Sequence, residues 1–101
     1  MNGMNDFIDL TGASGATYRF RRRAVAGDHL PIAGNFALIA MEDGKVKVIT
    51  LGKSNDLSRL VAPSEPPEAQ VYTRLNVARA IRTSEHDDLA AAYPSAQVIE
   101  D

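Results

Sequence analysis

Cysteine and tryptophan are both absent from this chain of 101 residues. Without cysteine the protein can form neither a disulfide framework nor a thiolate metal site, and nothing in its composition indicates an oxidising compartment. No apolar run approaches the roughly 20 residues of a membrane-spanning helix. The start of the chain lacks the basic and apolar segments of a signal peptide. We therefore expect a cytoplasmic protein with no membrane partner.

The composition of the chain predicts one globular domain over residues 1–101, since 45% of its residues are hydrophobic and 24% are charged. Its net charge of −2 conceals an asymmetry. Residues 1–60 hold eight basic against six acidic residues, whereas residues 61–101 hold three against seven. A polyanion would therefore be attracted to the first part of the chain.

Two runs near the start of the chain, residues 7–11 and 17–23, predict a β-hairpin joined by a glycine-containing turn. The second strand holds four arginines: Arg19, Arg21, Arg22 and Arg23. They could contact the phosphates of a nucleic acid, with Tyr18 and Phe20 stacking on unpaired bases. Alternatively, the charges protect a solvated edge strand from aggregation and the two aromatic side chains pack in the core.

A second hairpin is predicted at the centre of the chain. Residues 35–41 and 46–52 are strand-like, and the Asp-Gly pair between them is typical of a tight turn. Ser54 or Asn55 would then cap a short helix that contains Leu57, and the prolines after it predict an irregular loop.

The last third of the chain predicts a strand at 70–75 and, after Asn76 as the N-cap, a helical tract at 77–93. The predicted apolar face of this helix consists of Val77, Ala80, Ile81, Ala91 and Ala92. An unbroken helix would bring Asp88 into that face, which is unfavourable for a carboxylate. A break with a capping box at 84–87 would relieve this, so one helix and two helices are both open.

The order of these elements is similar to that of the GIY-YIG nuclease superfamily, where two motif strands form a hairpin and a Gly-Lys turn leads into a helix. Residues 34–36 read Gly-Asn-Phe in place of the first motif. Residues 50–52 read Thr-Leu-Gly in place of the second, and Lys-Ser-Asn-Asp-Leu follows at 53–57. The resemblance covers 33–97 and leaves the hairpin at 6–23 as an N-terminal extension. It implies an α+β fold with a small antiparallel sheet flanked by helices.

The resemblance also implies five catalytic positions for metal-dependent phosphodiester cleavage. In the family a phenol positions the attacking water, an arginine offsets phosphate charge and a glutamate holds the metal ion. The matching positions in this chain are Phe36, Thr50, Arg59, Glu85 and Gln97. Only Glu85 keeps the family residue, since Arg59 stands one position before the expected arginine. A shift of one residue would put His86 at the metal position.

Because each lost catalytic group commonly costs ~10²-fold or more in rate, the resemblance implies nucleic-acid binding with nuclease activity weak or lost. Lys53, Arg59 and the four arginines of the second strand are the candidate contacts with DNA or RNA. No cofactor is then required, and Mg²⁺ or Mn²⁺ would bind at Glu85 only if cleavage is retained. The alternative function is a non-catalytic protein-interaction or homodimerisation module.

Three further patterns have simpler explanations. The Gly-Lys-Ser at 52–54 resembles the end of a P-loop, but Lys47 stands where that motif needs a glycine. His29 and His86 form no recognisable metal site. Three acidic residues could bind a divalent cation or stabilise a helix start: Glu85, Asp87 and Asp88. Their expected salt-bridge partners are Arg74, Arg79 and Arg82.

Overall fold

A computed structural model of the protein describes residues 5–23, 31–60 and 68–100, and the statements below concern these residues. They form an α+β domain, as the sequence predicts. The strands are β1 (Phe7–Thr11), β2 (Thr17–Arg22), β3 (Gly34–Glu42), β4 (Lys45–Ser54), β5 (Gln70–Leu75) and β6 (Gln97–Glu100). A 3₁₀ turn spans Leu57–Arg59, and the helix α1 spans Arg79–Ala92.

The six strands form one sheet in the order β1-β2-β5-β3-β4-β6. Neighbouring strands are antiparallel except for β4 and β6, which are parallel. The expectation of a purely antiparallel sheet is therefore wrong. No strand was predicted after the helix, because a four-residue run is too short to reveal its period in the sequence.

The turn between β3 and β4 follows directly from its sequence. Asp43 and Gly44 both have positive φ angles, 54° and 77°. This is the backbone of a tight hairpin turn whose twist matches that of the flanking strands, and Asp-Gly is a preferred pair for it. The register shifts between Leu38 and Ile39, so that β4 carries an additional residue at that point.

The core lies between one face of the sheet and α1. Its buried residues are Leu10, Phe20, Ala37, Ile39, Leu51, Tyr72 and Leu89. Leu89 comes from α1, and burial of such a side chain stabilises the fold by about 1.5–3 kcal/mol. We call the side of the sheet that α1 covers the helix face, and the other side the opposite face.

The predicted apolar side of the helix is wrong. The buried helix residues are Arg82, His86 and Leu89, whereas Val77 and Ile81 are 74% and 54% exposed. The reason is that Arg82 finds hydrogen-bond acceptors inside the protein, so its burial overrides the hydrophobic pattern.

Of the two alternatives left open by the sequence, the structure has the single helix, which is unbroken through 84–87. The residue preceding α1 is Ala78, without a side-chain cap, and Asn76 instead bonds to Asn35 and Glu85. The 3₁₀ turn is capped by Asp56 rather than by the predicted Ser54 or Asn55. Among the described residues, no helix is long and apolar enough to cross a membrane.

Candidate functional site

The five positions that the resemblance implies for catalysis are divided between the two faces of the sheet. The side-chain amide of Asn35 donates to the carbonyl oxygen of Arg82 on α1, so the adjacent Phe36 points to the opposite face. Leu51 packs in the core on the helix face, so Thr50 also points away from α1. Glu85 lies on α1 itself. The sheet therefore separates Phe36 and Thr50 from Glu85.

Phe36 has a packing role on the opposite face. It pairs with Gly52 across β3 and β4, and a Cβ atom added to Gly52 would lie 2.1 Å from Cζ of the phenylalanine ring. The phenylalanine ring thus occupies the space that a side chain at position 52 would need. Thr50 is 6% exposed and is paired in register with Gln97 of β6.

Arg59 lies on the 3₁₀ turn, with its side chain 86% exposed and its Nε 3.6 Å from Oδ2 of Asp56. An exposed pair of this kind contributes little to stability. Glu85 lies on α1 and forms its ion pair with Arg74. Arg59 and Glu85 therefore have different ion-pair partners.

The carboxylate of Glu85 accepts hydrogen bonds from two side chains, those of Arg74 and Asn76, and does not belong to a cluster of metal-binding carboxylates in the described structure. Nε of Arg74 lies 2.8 Å from its Oε1, and the amide of Asn76 donates to the same oxygen at 3.0 Å. The glutamate side chain is only 15% exposed. The described residues contain no group of three acidic or histidine side chains suited to a metal ion. His29 lies outside them.

Asp88 fastens the turn between β1 and β2 to the helix. Its carboxylate accepts hydrogen bonds from the backbone N–H of Ser14 at 2.8 Å, from the Ser14 hydroxyl and from the Tyr18 hydroxyl at 2.7 Å. A Cβ atom on Gly12 would lie 2.1 Å from this carboxylate, so the close approach requires glycine. The bonds from Ser14 and then Tyr18 hold the pKa of Asp88 below its usual value.

The arginine-rich strand β2 lies between β1 and β5, so its interpretation as an edge strand is wrong. Two of its arginines form ion pairs, Arg19 with Asp9 at 2.9 Å and Arg22 with Asp6 at 2.6 Å. Arg23 donates to the carbonyl oxygen of Leu60.

Arg21 is exposed on β2. Phe20 is fully buried on the helix face, and Tyr18 packs against the core and bonds to Asp88. Of the two alternatives for these aromatics, the structure agrees with core packing.

A different group of basic residues surrounds a small open pocket between the end of β4 and the start of α1. We call it the cationic pocket, and its lining residues are Lys53, Ser54, Asn55, Arg79, Arg82 and Thr83. Nζ of Lys53 lies 3.1 Å from the hydroxyl oxygen of Thr83, which connects the two walls. No carboxylate lines the pocket among the side chains that the structure describes.

Arg82 is the buried cation of this pocket, with 5% of its surface exposed. Its guanidinium donates to the carbonyl oxygens of Asn76 and Val77 at 3.0 Å and to Oδ1 of Asn55 at 3.1 Å. All three acceptors are neutral, although a buried charge is usually paired with an opposite one. Three of its five N–H groups are used, and the other two have no acceptor among the described residues.

Sequence reasoning identified Lys53 but missed Arg79 and Arg82, which it assigned as salt-bridge partners of the acidic residues on the helix. Only Arg74 has that role within the described parts of the chain. The signal that could have revealed the pocket is the spacing of Arg79, Arg82 and Thr83, since residues three and four apart lie on neighbouring parts of a helix surface.

Comparison of the chain with protein-family models, with curated proteins and with solved structures found no match.

Proposed function

We propose that this domain binds nucleic acid through a phosphate group held in the cationic pocket. The observation that carries the proposal is Arg82, a buried arginine that lines the pocket and whose partners within the described part of the chain are all neutral. Phosphate oxygens would provide the missing negative charge, and arginine is well suited to them because its guanidinium presents several N–H groups in one plane.

Two further cations and a hydroxyl line the same pocket. Lys53 lies within β4, near its end, so the turn predicted at Gly52 and Lys53 is wrong, and Arg79 lies at the first position of α1. The hydroxyl of Thr83 accepts a hydrogen bond from Lys53 and can donate its own proton to a ligand. The two arginines, with no carboxylate among the described side chains that line the pocket, favour an anion. Nucleic-acid binding is dominated by contacts of this kind with phosphates.

The proposal includes descent from the GIY-YIG group with cleavage weak or lost. Residues 34–36 and 52–54 are paired on adjacent antiparallel strands, and β5 pairs with the other side of β3, which supports the ancestry. The loss of cleavage is supported by the sheet that separates Phe36 and Thr50 from Glu85. A glutamate already held by Arg74 and Asn76 also favours a structural role over metal binding.

A matched pair of arginine variants tests the binding proposal. Arg79→Gln removes one exposed charge from the pocket, and Arg21→Gln removes one exposed charge from β2. Fluorescence anisotropy with labelled single-stranded and duplex DNA would give Kd over a range of salt concentrations. We expect Arg79→Gln to weaken binding about tenfold, the effect of one hydrogen bond to a charged group, and Arg21→Gln to change it less than twofold. Equal losses, or no binding of either DNA at low salt, would refute the proposal.

The homodimerisation alternative has one specific observation in its favour. Strand β6 pairs only with β4 within the described residues, and Val98 and Ile99 on it are 43% and 44% exposed. Such an apolar edge can pair with another strand unless it is protected. Light scattering over a range of concentrations would detect a dimer, which we expect Ile99→Lys to dissociate. A monomer at every concentration would remove this alternative.

A further inference from the structure

The cationic pocket has the charge, the position and the donor set to distinguish between two kinds of phosphate. We infer that it selects the terminal phosphate of a nucleic-acid strand, a phosphomonoester, over the phosphodiesters within the strand. This inference rests on the proposed function and specifies its ligand.

The first reason is charge. Arg79 and Arg82 bring two positive charges to one pocket, and no described carboxylate lines it. A phosphomonoester carries a charge of about −1.5 to −2 at pH 7, whereas each phosphodiester of a nucleic-acid strand carries one negative charge. The terminal group therefore gains more from the same two arginines.

The second reason is the position of the pocket. It is a small, open pocket between the end of β4 and the start of α1. An internal phosphodiester would need room for the strand to enter and also to leave between β4 and α1, while a terminal phosphate needs one exit.

The third reason is the number of donors. Arg82 has two N–H groups without an acceptor in the described structure, and Arg79 and the Thr83 hydroxyl add further donors. A monoester presents three strong acceptor oxygens to such donors. A diester presents only two non-bridging oxygens, because a second ester bond occupies the third.

The test uses labelled single-stranded oligonucleotides of one sequence with a 5′-phosphate, with a 3′-phosphate or with hydroxyl groups at both ends. Anisotropy titrations would give Kd for each with the wild-type domain and with the Arg79→Gln and Arg21→Gln variants. We expect a phosphorylated end to tighten binding about tenfold, as one or two additional charge-assisted hydrogen bonds would. Arg79→Gln should abolish that preference, and Arg21→Gln should retain it.

Each other outcome overturns a defined part of the account. Equal Kd values for all three oligonucleotides, still weakened by Arg79→Gln, would refute end selection and leave the proposed function standing. No binding of any oligonucleotide would refute both. A preference for phosphorylated ends that survives Arg79→Gln would exclude this pocket as its source. Adenosine 5′-monophosphate that competes as strongly as the phosphorylated oligonucleotide would identify a free nucleotide, not a strand, as the ligand.

Discussion

The guanidinium of Arg82 donates a hydrogen bond of 3.1 Å to Oδ1 of Asn55, which joins the inner side of α1 to the residue that follows β4. The same side chain reaches the carbonyl oxygens of Asn76 and Val77 before the helix. One buried cation thus connects the two segments that form the cationic pocket.

This geometry predicts that Arg82→Lys is destabilising although it keeps the charge. An ammonium group cannot reproduce the planar fork that serves three acceptors, so at least one buried acceptor is left unsatisfied. We expect the free energy of unfolding in urea to fall by about 1–3 kcal/mol. Arg79→Lys is the matched control, because Arg79 is exposed, and it should change stability by less than about 0.5 kcal/mol. An Arg82→Lys variant as stable as the wild type would contradict this reading.

The contact between Phe36 and Gly52 predicts that substitutions at these two positions have coupled effects on stability. Gly52→Ala brings a methyl group into the phenylalanine ring and should destabilise the domain by about 1–3 kcal/mol. In the double variant that also carries Phe36→Leu, the smaller side chain vacates part of this space. A double-mutant cycle measured by urea unfolding should then give a favourable coupling of about 0.5 kcal/mol or more. Additive effects would mean that the two positions do not share this space.

Glu85 should behave as a structural residue and not as a metal ligand. Its carboxylate is held by Arg74 and Asn76, so Glu85→Gln leaves a partly buried guanidinium without its counter-charge. We expect it to lower stability by about 1–3 kcal/mol. Thermal unfolding of the wild type with Mg²⁺, with Mn²⁺ and with a chelator should give the same Tm. A rise in Tm with either metal that Glu85→Gln abolishes would restore the metal site that the resemblance implies.

The hydrogen bonds to Asp88 predict that the stability of the domain decreases as the pH falls into the acid range. Hydrogen bonds from Ser14 and Tyr18 lower its pKa in the folded state. The group therefore stabilises the fold above the unfolded-state pKa of about 3.9, and this contribution is lost as the pH falls through the lower folded-state pKa. In Asp88→Asn this component is removed, so the decline in stability below about pH 4 should be shallower than in the wild type.

Urea midpoints measured from pH 7 down to pH 2.5 would check this, with Asp87→Asn as the control because that neighbouring side chain is exposed. The control should keep the wild-type pH profile. Hydrogen bonds from Arg19 and Ser58 also lower the pKa values of Asp9 and Asp56, and their part of the acid sensitivity should remain in both variants. A profile of Asp88→Asn identical to that of the wild type would show that the turn is not held by this carboxylate.

The elements with strong local signals could be predicted from the sequence. The α+β class and the strand at Gln70–Leu75 were predicted, and the Asp-Gly turn lies at 43–44 as expected. β6 could not be predicted, because its four residues form a strand through pairing with β4, which is a tertiary contact. The buried side of α1 was missed for a similar reason. Arg82 can be buried because its guanidinium donates to acceptors that lie outside the helix, one of them distant in the sequence.

The site was less predictable than the fold. Lys53 was found because the Gly-Lys pair is a local sequence pattern, whereas its contact with Thr83 joins residues thirty positions apart. The arginines of β2 were predicted to bind nucleic acid because they are close together in the sequence. Two of them, however, form ion pairs with Asp9 and Asp6. Charge in a sequence shows which residues are basic. It does not show which of them are already neutralised in the folded chain.

The most direct test of phosphate binding in the cationic pocket is amide chemical-shift mapping by NMR with a 5′-phosphorylated oligonucleotide. We predict that the largest shift changes fall at residues 53–55 and 79–83, with little change along β2, and that the same titration of Arg79→Gln gives much smaller changes. Shift changes concentrated at residues 19–23 or along β6, with residues 53–55 and 79–83 unaffected, would contradict the account.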